Sequence, residues 1–170
     1  MKQAKPRIIV GVIGPAEATA DDLRNAEAMG RLIAEGGWVL LSGGRDAGVM
    51  AASVRGADEA GGLIVGLLPD ETGRAAPGVD VVIRTGLGSA RNNVIALSAD
   101  VLVACGTGAG TASEIALGIK AGTPLVLLGV SSAVYEFFRD LGDGVISCAE
   151  SPDEAVATIR TLLNRSSDHD

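Results

Sequence analysis

Seven short apolar runs, most of them without polar alternation, constrain what this chain can become: RIIVGVIG, WVLLSGG, LIVGLLP, VDVVIRTG, VLVACGT, PLVLLGV and GVISCA. A strand with one wet face alternates apolar and polar side chains, whereas a strand covered on both faces is apolar throughout. The runs therefore read as parallel strands sandwiched between helices, and the segments between them supply those helices. Over residues 21–35 the 3.6-residue period puts Leu23, Ala26, Gly30 and Ile33 on one face, with Thr19 or Ala20 near the start and Gly36 and Gly37 as the stop. Further helices are expected over residues 49–60, 90–99, 112–121 and 133–141. A final helix, beyond these, opens on SPDE, where Ser151 caps, Pro152 takes the first helical position and Glu154 completes a capping box. Strand and helix repeated in this order give a doubly wound α/β fold of modified Rossmann type, with right-handed crossovers and helices on both faces of a parallel sheet.

The 170 residues, 47% of them hydrophobic, suit one compact domain over residues 1–165, followed by a disordered polar tail at 166–170. DETGRAAPGV, residues 70–79, lacks a helical pattern and is expected to be a mobile loop. A formal charge of −7 and no run of Lys or Arg exclude the electrostatic footprint of a nucleic-acid binder or an anionic-membrane partner. No apolar stretch is long enough to span a bilayer, and the short run after Lys5 leads into a turn instead of a cleavage site, so a cytoplasmic protein is expected. Cys105 and Cys148 lie in apolar runs and read as small core residues, making neither a disulfide framework nor a metal motif. The single histidine, His169, falls in the tail, which leaves no fixed imidazole for a Ser–His or Cys–His device. No metal site is expected.

In a parallel sheet every strand-to-helix turn lies at one edge, and ligands bind there. Four glycine-rich turns land on that edge: GPAEAT, SGGRDAGVM, TGLGSARNN and GTGAGTASE. They offer Gly14 from the first turn, Gly43, Gly44, Gly48, Val49 and Met50 from the second, and Arg91 and Asn92 from the third. The fourth adds Gly106, Gly108, Gly110, Thr111 and Glu114. Glycine at a helix entry exposes backbone N–H groups to an anion, so their convergence points to a phosphate-bearing small molecule. The dinucleotide fingerprint fails, because glycine is wanted where Thr111 stands, and no GxxxxGK[ST] motif is present.

Two residues carry open alternatives. Arg91 falls in the first turn of its helix, where a cation opposes the macrodipole, so it either reaches back to an acid such as Glu17 or Asp46 or meets an anionic ligand. Glu114 completes T-x-x-E with Thr111 and so either closes a capping box or faces the ligand.

On SGGRDAGVMAASVRGADEAGG, TGLGSARNNVIALSAD and GTGAGTASEIALGIKAGTP, the chain resembles the LONELY GUY superfamily of Rossmann-like nucleotide-binding proteins, most closely the bacterial branch similar to molybdenum cofactor carrier proteins. The resemblance implies that Gly110, Thr111 and Glu114 are the phosphate-loop and acid positions and that Arg91 faces them. Cytokinin-activating members of the superfamily cleave the N-glycosidic bond of a nucleoside 5′-monophosphate with that arginine and glutamate. Their arginine is followed by lysine, where this chain has Asn92. The carrier branch resembles this chain in reading ARN. The expectation is a binding protein for a nucleotide-like or pterin ligand, molybdenum cofactor or a nucleoside monophosphate, with no further cofactor required. The alternative is a phosphoribohydrolase with Arg91 and Glu114 catalytic. The resemblance also implies a homo-oligomer, dimer or tetramer.

Overall fold

A computed structural model describes residues 6–142 and 144–167. Strands β1 (Ile9–Ile13), β2 (Val39–Ser42), β3 (Leu63–Leu68), β4 (Val81–Arg84), β5 (Val101–Cys105), β6 (Leu125–Leu128) and β7 (Ile146–Ala149) form one parallel sheet of seven strands in the order β4-β3-β2-β1-β5-β6-β7. The helices are α1 (Ala20–Glu35), α2 (Gly48–Glu59), α3 (Arg91–Ser98), α4 (Ala109–Ala121), α5 (Ser132–Leu141) and α6 (Pro152–Ser167), with a 3-10 turn at Gly88–Ala90 leading into α3. The doubly wound α/β architecture is as expected. α6 continues to Ser167 and so takes in the first two positions of the expected tail, whose remainder lies outside the described residues.

Two cores follow from the two-residue period of the strands. Along β5, Val101, Val103 and Cys105 enter one core with residues of α1, α2 and α6, while Leu102 and Ala104 enter the other with residues of α3, α4 and α5. A strand that feeds both cores has no position left for a polar side chain, which is why VLVAC shows no alternation. Cys105 is fully buried, and Cys148 on β7 is only half-buried, which corrects the reading of both cysteines as core residues.

On the α1 and α2 side the two helices touch backbone to backbone. A Cβ on Gly30 would fall 2.0 Å from the Ser53 carbonyl oxygen, and one on Gly56 would fall 1.9 Å from that of Glu27. No larger residue fits either position without parting the helices. α1 begins at an N-cap Thr19 whose hydroxyl accepts from the Asp22 amide at 3.2 Å, while the Asp22 carboxylate accepts from the Thr19 amide at 3.0 Å.

The order of strands reverses at β1, which pairs with β2 on one side and β5 on the other, Val10 opposite Leu40 and Val101. That reversal opens a crevice above the carboxyl ends of β1 and β5. Residues 70–79, expected to be mobile, are instead pinned beside it: Arg45 and Ala75 form an antiparallel bridge, the Ala76 amide donates to the Gly44 carbonyl at 2.9 Å, and the Ala76 methyl is buried. No helix among the described residues is long and apolar enough to cross a membrane.

Candidate functional site

The crevice is a cavity of about 450 Å³ lined from all four glycine-rich turns and from the turn after β3. α4 supplies its floor. Gly108 is the N-cap of that helix in extended backbone, with no side chain to cap it. The Ala112 amide donates to the Gly108 carbonyl at 2.8 Å, and the earlier amides of Ala109, Gly110 and Thr111 have no acceptor among the described residues. These are the orphan donors of a helix start, turned toward the cavity with the positive end of the helix dipole behind them.

This helix start rules out one of the two readings left open for Glu114. Because α4 begins at Ala109, Thr111 is already its third residue and Glu114 its sixth, so the T-x-x-E capping box does not form. The Thr111 hydroxyl is buried, with the residue 2% exposed, and finds no hydrogen-bond partner. Glu114 lines the cavity at 7% exposure, and its carboxyl makes neither a hydrogen bond nor an ion pair among the described residues. Burial pushes that carboxyl up to about 7, with the nearby Arg91 charge pulling weakly the other way.

One reading of Arg91 is ruled out as well. It is not a surface residue reaching Glu17 or Asp46; it is 9% exposed, and its Nη1 donates to the carbonyls of Gly43 at 2.9 Å and Leu67 at 2.8 Å. One guanidinium nitrogen thus ties together the carboxyl ends of β2 and β3, while the buried Nε has no acceptor. Burial lowers its affinity for the proton, and Glu114 partly offsets this. The close approach depends on Gly43, where a Cβ would lie 2.5 Å from Arg91 Nη1. Asn92 Nδ2 donates to Ser113 Oγ at 2.8 Å, and that hydroxyl donates to the Gly110 carbonyl at 2.7 Å, so α3 holds the α4 entry in place.

A family model for the SLOG cluster4 family matches residues 7–156. The chain belongs to the SLOG cluster4 family. A protein of Archaeoglobus fulgidus, described only as uncharacterised, is 45% identical to this SLOG cluster4 chain over 147 residues, 86% of the chain and 91% of the relative. Among solved structures, the molybdenum cofactor binding protein of the phototrophic bacterium Rippkaea orientalis is 44% identical with a TM-score of 0.91, covering 94% of this chain and 99% of its own. The molybdenum cofactor carrier protein of Chlamydomonas reinhardtii is 45% identical with a TM-score of 0.88 and the same coverage. The resemblance to the carrier-like branch stands.

Of the residues singled out in the sequence, this SLOG cluster4 fold brings Gly14, Gly43, Met50, Arg91, Asn92, Gly108, Gly110, Thr111 and Glu114 to the cavity wall. Gly44, Gly48, Val49 and Gly106 are not among its lining residues. Val49 is fully buried and its amide donates to the Pro15 carbonyl at 3.1 Å, which fixes the first turn against α2. Gly48 and Gly106 hold left-handed backbone at φ of 49° and 77°, where a side chain would strike the Pro15 carbonyl and the Asp22 carboxylate respectively. The sequence reading missed Pro15, Glu17, Arg45, Asp70 and Ser89, all on the rim. Arg45 and Asp70 pair at 3.1 Å across two turns, and the sequence signal for them was their place just after a strand end.

Proposed function

We propose that this protein binds a phosphate-bearing pterin, the molybdenum cofactor, and holds it as cargo. The observation that carries the reading is the free amide cluster of Ala109, Gly110 and Thr111, open to a cavity in a chain that matches a molybdenum cofactor binding protein over 94% of its length. The residues present fit the phosphate end of such a ligand, since the unpartnered Thr111 hydroxyl and the N-terminal amides of α4 lack an acceptor that a phosphate supplies. Among the described residues no cluster of three or more His, Cys, Asp or Glu is placed to hold a metal ion. Arg91 supplies a fixed positive charge beneath the cavity, and its two carbonyl bonds keep it there. In the same reading the protein works in the cytoplasm as a homo-oligomer, which would cover exposed apolar side chains such as Leu97, Phe137 and Leu141.

The test is retention. Molybdenum cofactor released from a denatured molybdoenzyme under exclusion of oxygen, mixed with the purified protein and passed through gel filtration, should co-elute with it at about one oxidised-pterin fluorophore per chain. Free adenine produced from AMP during long incubation, with no pterin retained, would replace this reading by the phosphoribohydrolase.

A further inference from the structure

The cavity that offers an anion four donors also contains a carboxyl. Glu114 lies in the same wall as the α4 amides and the Thr111 hydroxyl, buried and without a hydrogen bond of its own. The charged groups around it are Arg91 at the start of α3, Arg45 in the turn after β2, Asp70 in the turn after β3 and Glu17 in the turn after β1. Arg45 and Asp70 pair as an ion pair, Arg91 is the cation that acts on Glu114, and Glu17 stands in the same lining, so the lining holds two cations and two carboxylates besides Glu114. An ionised Glu114 therefore leaves the cavity one negative charge in excess before any ligand arrives. A carboxylate beside an oxyanion in a largely buried crevice repels it, because little water intervenes to screen the two charges. A neutral carboxylic acid in the same place has an O–H to donate.

We infer that the cavity binds its anion together with a proton on Glu114, and that the protonated carboxyl donates a hydrogen bond to the bound oxyanion. Glu114 is then a specificity residue: it requires of the ligand an oxygen acceptor able to take that hydrogen bond, and it couples loading to proton uptake. The balance is one anion and one proton bound, one carboxylate converted to carboxylic acid, and no covalent bond made to the ligand. Burial already raises the carboxyl to about 7, so reprotonation at pH 8.5 spans about 1.5 pH units instead of the roughly 4 of an ordinary glutamate. The inference rests on the anion-binding reading above and adds the role of Glu114 to it.

Sulfate is the probe, because it stays dianionic from pH 5.5 to 8.5 whereas a phosphate ester titrates across that range. Equilibrium dialysis with radiolabelled sulfate at constant ionic strength should give an affinity about thirtyfold weaker at pH 8.5 than at pH 5.5, the loss expected when a site ionising near pH 7 must first be reprotonated. Glu114→Gln, whose amide donates at every pH, should flatten the profile. A second measurement needs no variant: in weakly buffered wild-type protein at pH 8.5, saturating sulfate should draw about one proton per site from solution, and almost none at pH 5.5. Sulfate binding without proton uptake at pH 8.5, or an equal pH slope in Glu114→Gln, overturns the inference and leaves the anion site standing. No sulfate binding at any pH removes both.

Discussion

Substituting Gly110 by Ala should make the protein more stable and less able to bind. Gly110 is the second residue of α4, has no left-handed backbone, and a Cβ built on it meets no atom within 4 Å. Nothing in the fold resists the methyl. Glycine costs a helix about 0.5–1 kcal/mol relative to alanine, so the unliganded variant should gain that amount. For a chain of this size that is a rise in Tm of about 1–4 °C. The cost falls on the ligand, because the methyl occupies open space at the cavity wall where an oxyanion would approach the α4 amides. Loss of one charge-assisted hydrogen bond, about 1.5–3 kcal/mol, weakens binding roughly 10- to 150-fold. Calorimetric melting of the unliganded variant and sulfate dialysis at pH 5.5 read the two effects separately. A raised Tm with unchanged Kd would refute the placement of the anion at this helix start, and a lowered Tm would refute the claim that position 110 is spare space.

Four further outcomes follow from the same geometry. The Glu114 carboxyl, ordinarily near 4.5, ionises near 7 in the fold, so the native state keeps a proton that the unfolded chain has lost; the stability penalty is absent below pH 4.5, grows as pH rises to 7 and is then constant at about 3 kcal/mol. Urea titrations of wild type and Glu114→Gln should therefore diverge above pH 4.5, the variant being the more stable, and parallel pH profiles would contradict the burial argument. Thr111→Val removes a buried hydroxyl that has no partner, so it should raise the Tm of the unliganded protein while weakening sulfate about tenfold. Gly56→Val and Gly30→Val should each cost about 3 kcal/mol or more, or prevent folding, since each adds atoms where a carbonyl oxygen of the other helix already lies; melting within a degree of wild type would show that the helices can part cheaply. Alkylation under native conditions should label Cys148 before Cys105, whose thiol is fully buried and pushed up to about 12.

Strand content was legible because the physical demand on these strands is extreme. A run such as VLVAC or PLVLL can satisfy two cores at once and can do little else. The start of α4 was not legible, because GTGAGTASE contains two entry registers three residues apart. The Thr111–Glu114 box offers about 1 kcal/mol of capping, but starting at Ala109 extends the helix by most of a turn and lets the Ala112 amide reach Gly108. Gly108 adopts extended backbone without cost, so the longer helix wins and Glu114 moves from the cap to the cavity. Arg91 was legible as a residue of the site but its anchoring was not, since its two acceptors are the main chain of Gly43 and Leu67, 48 and 24 positions away. The rim residues Arg45 and Asp70 depended likewise on the path of residues 70–79, which no periodicity in that segment announces.

The bridge between Arg45 and Ala75, with the Ala76 amide on Gly44, has a consequence for kinetics. It ties residues 70–79 down beside the crevice by main-chain hydrogen bonds, so that this segment is not a free cover. A ligand entering the site then need not wait for that segment to open. Association should follow a single exponential whose rate rises linearly with concentration and never reaches a plateau, and occupancy should be governed by residence time alone. A ligand held in this way leaves by losing its local contacts, without waiting for that segment to move.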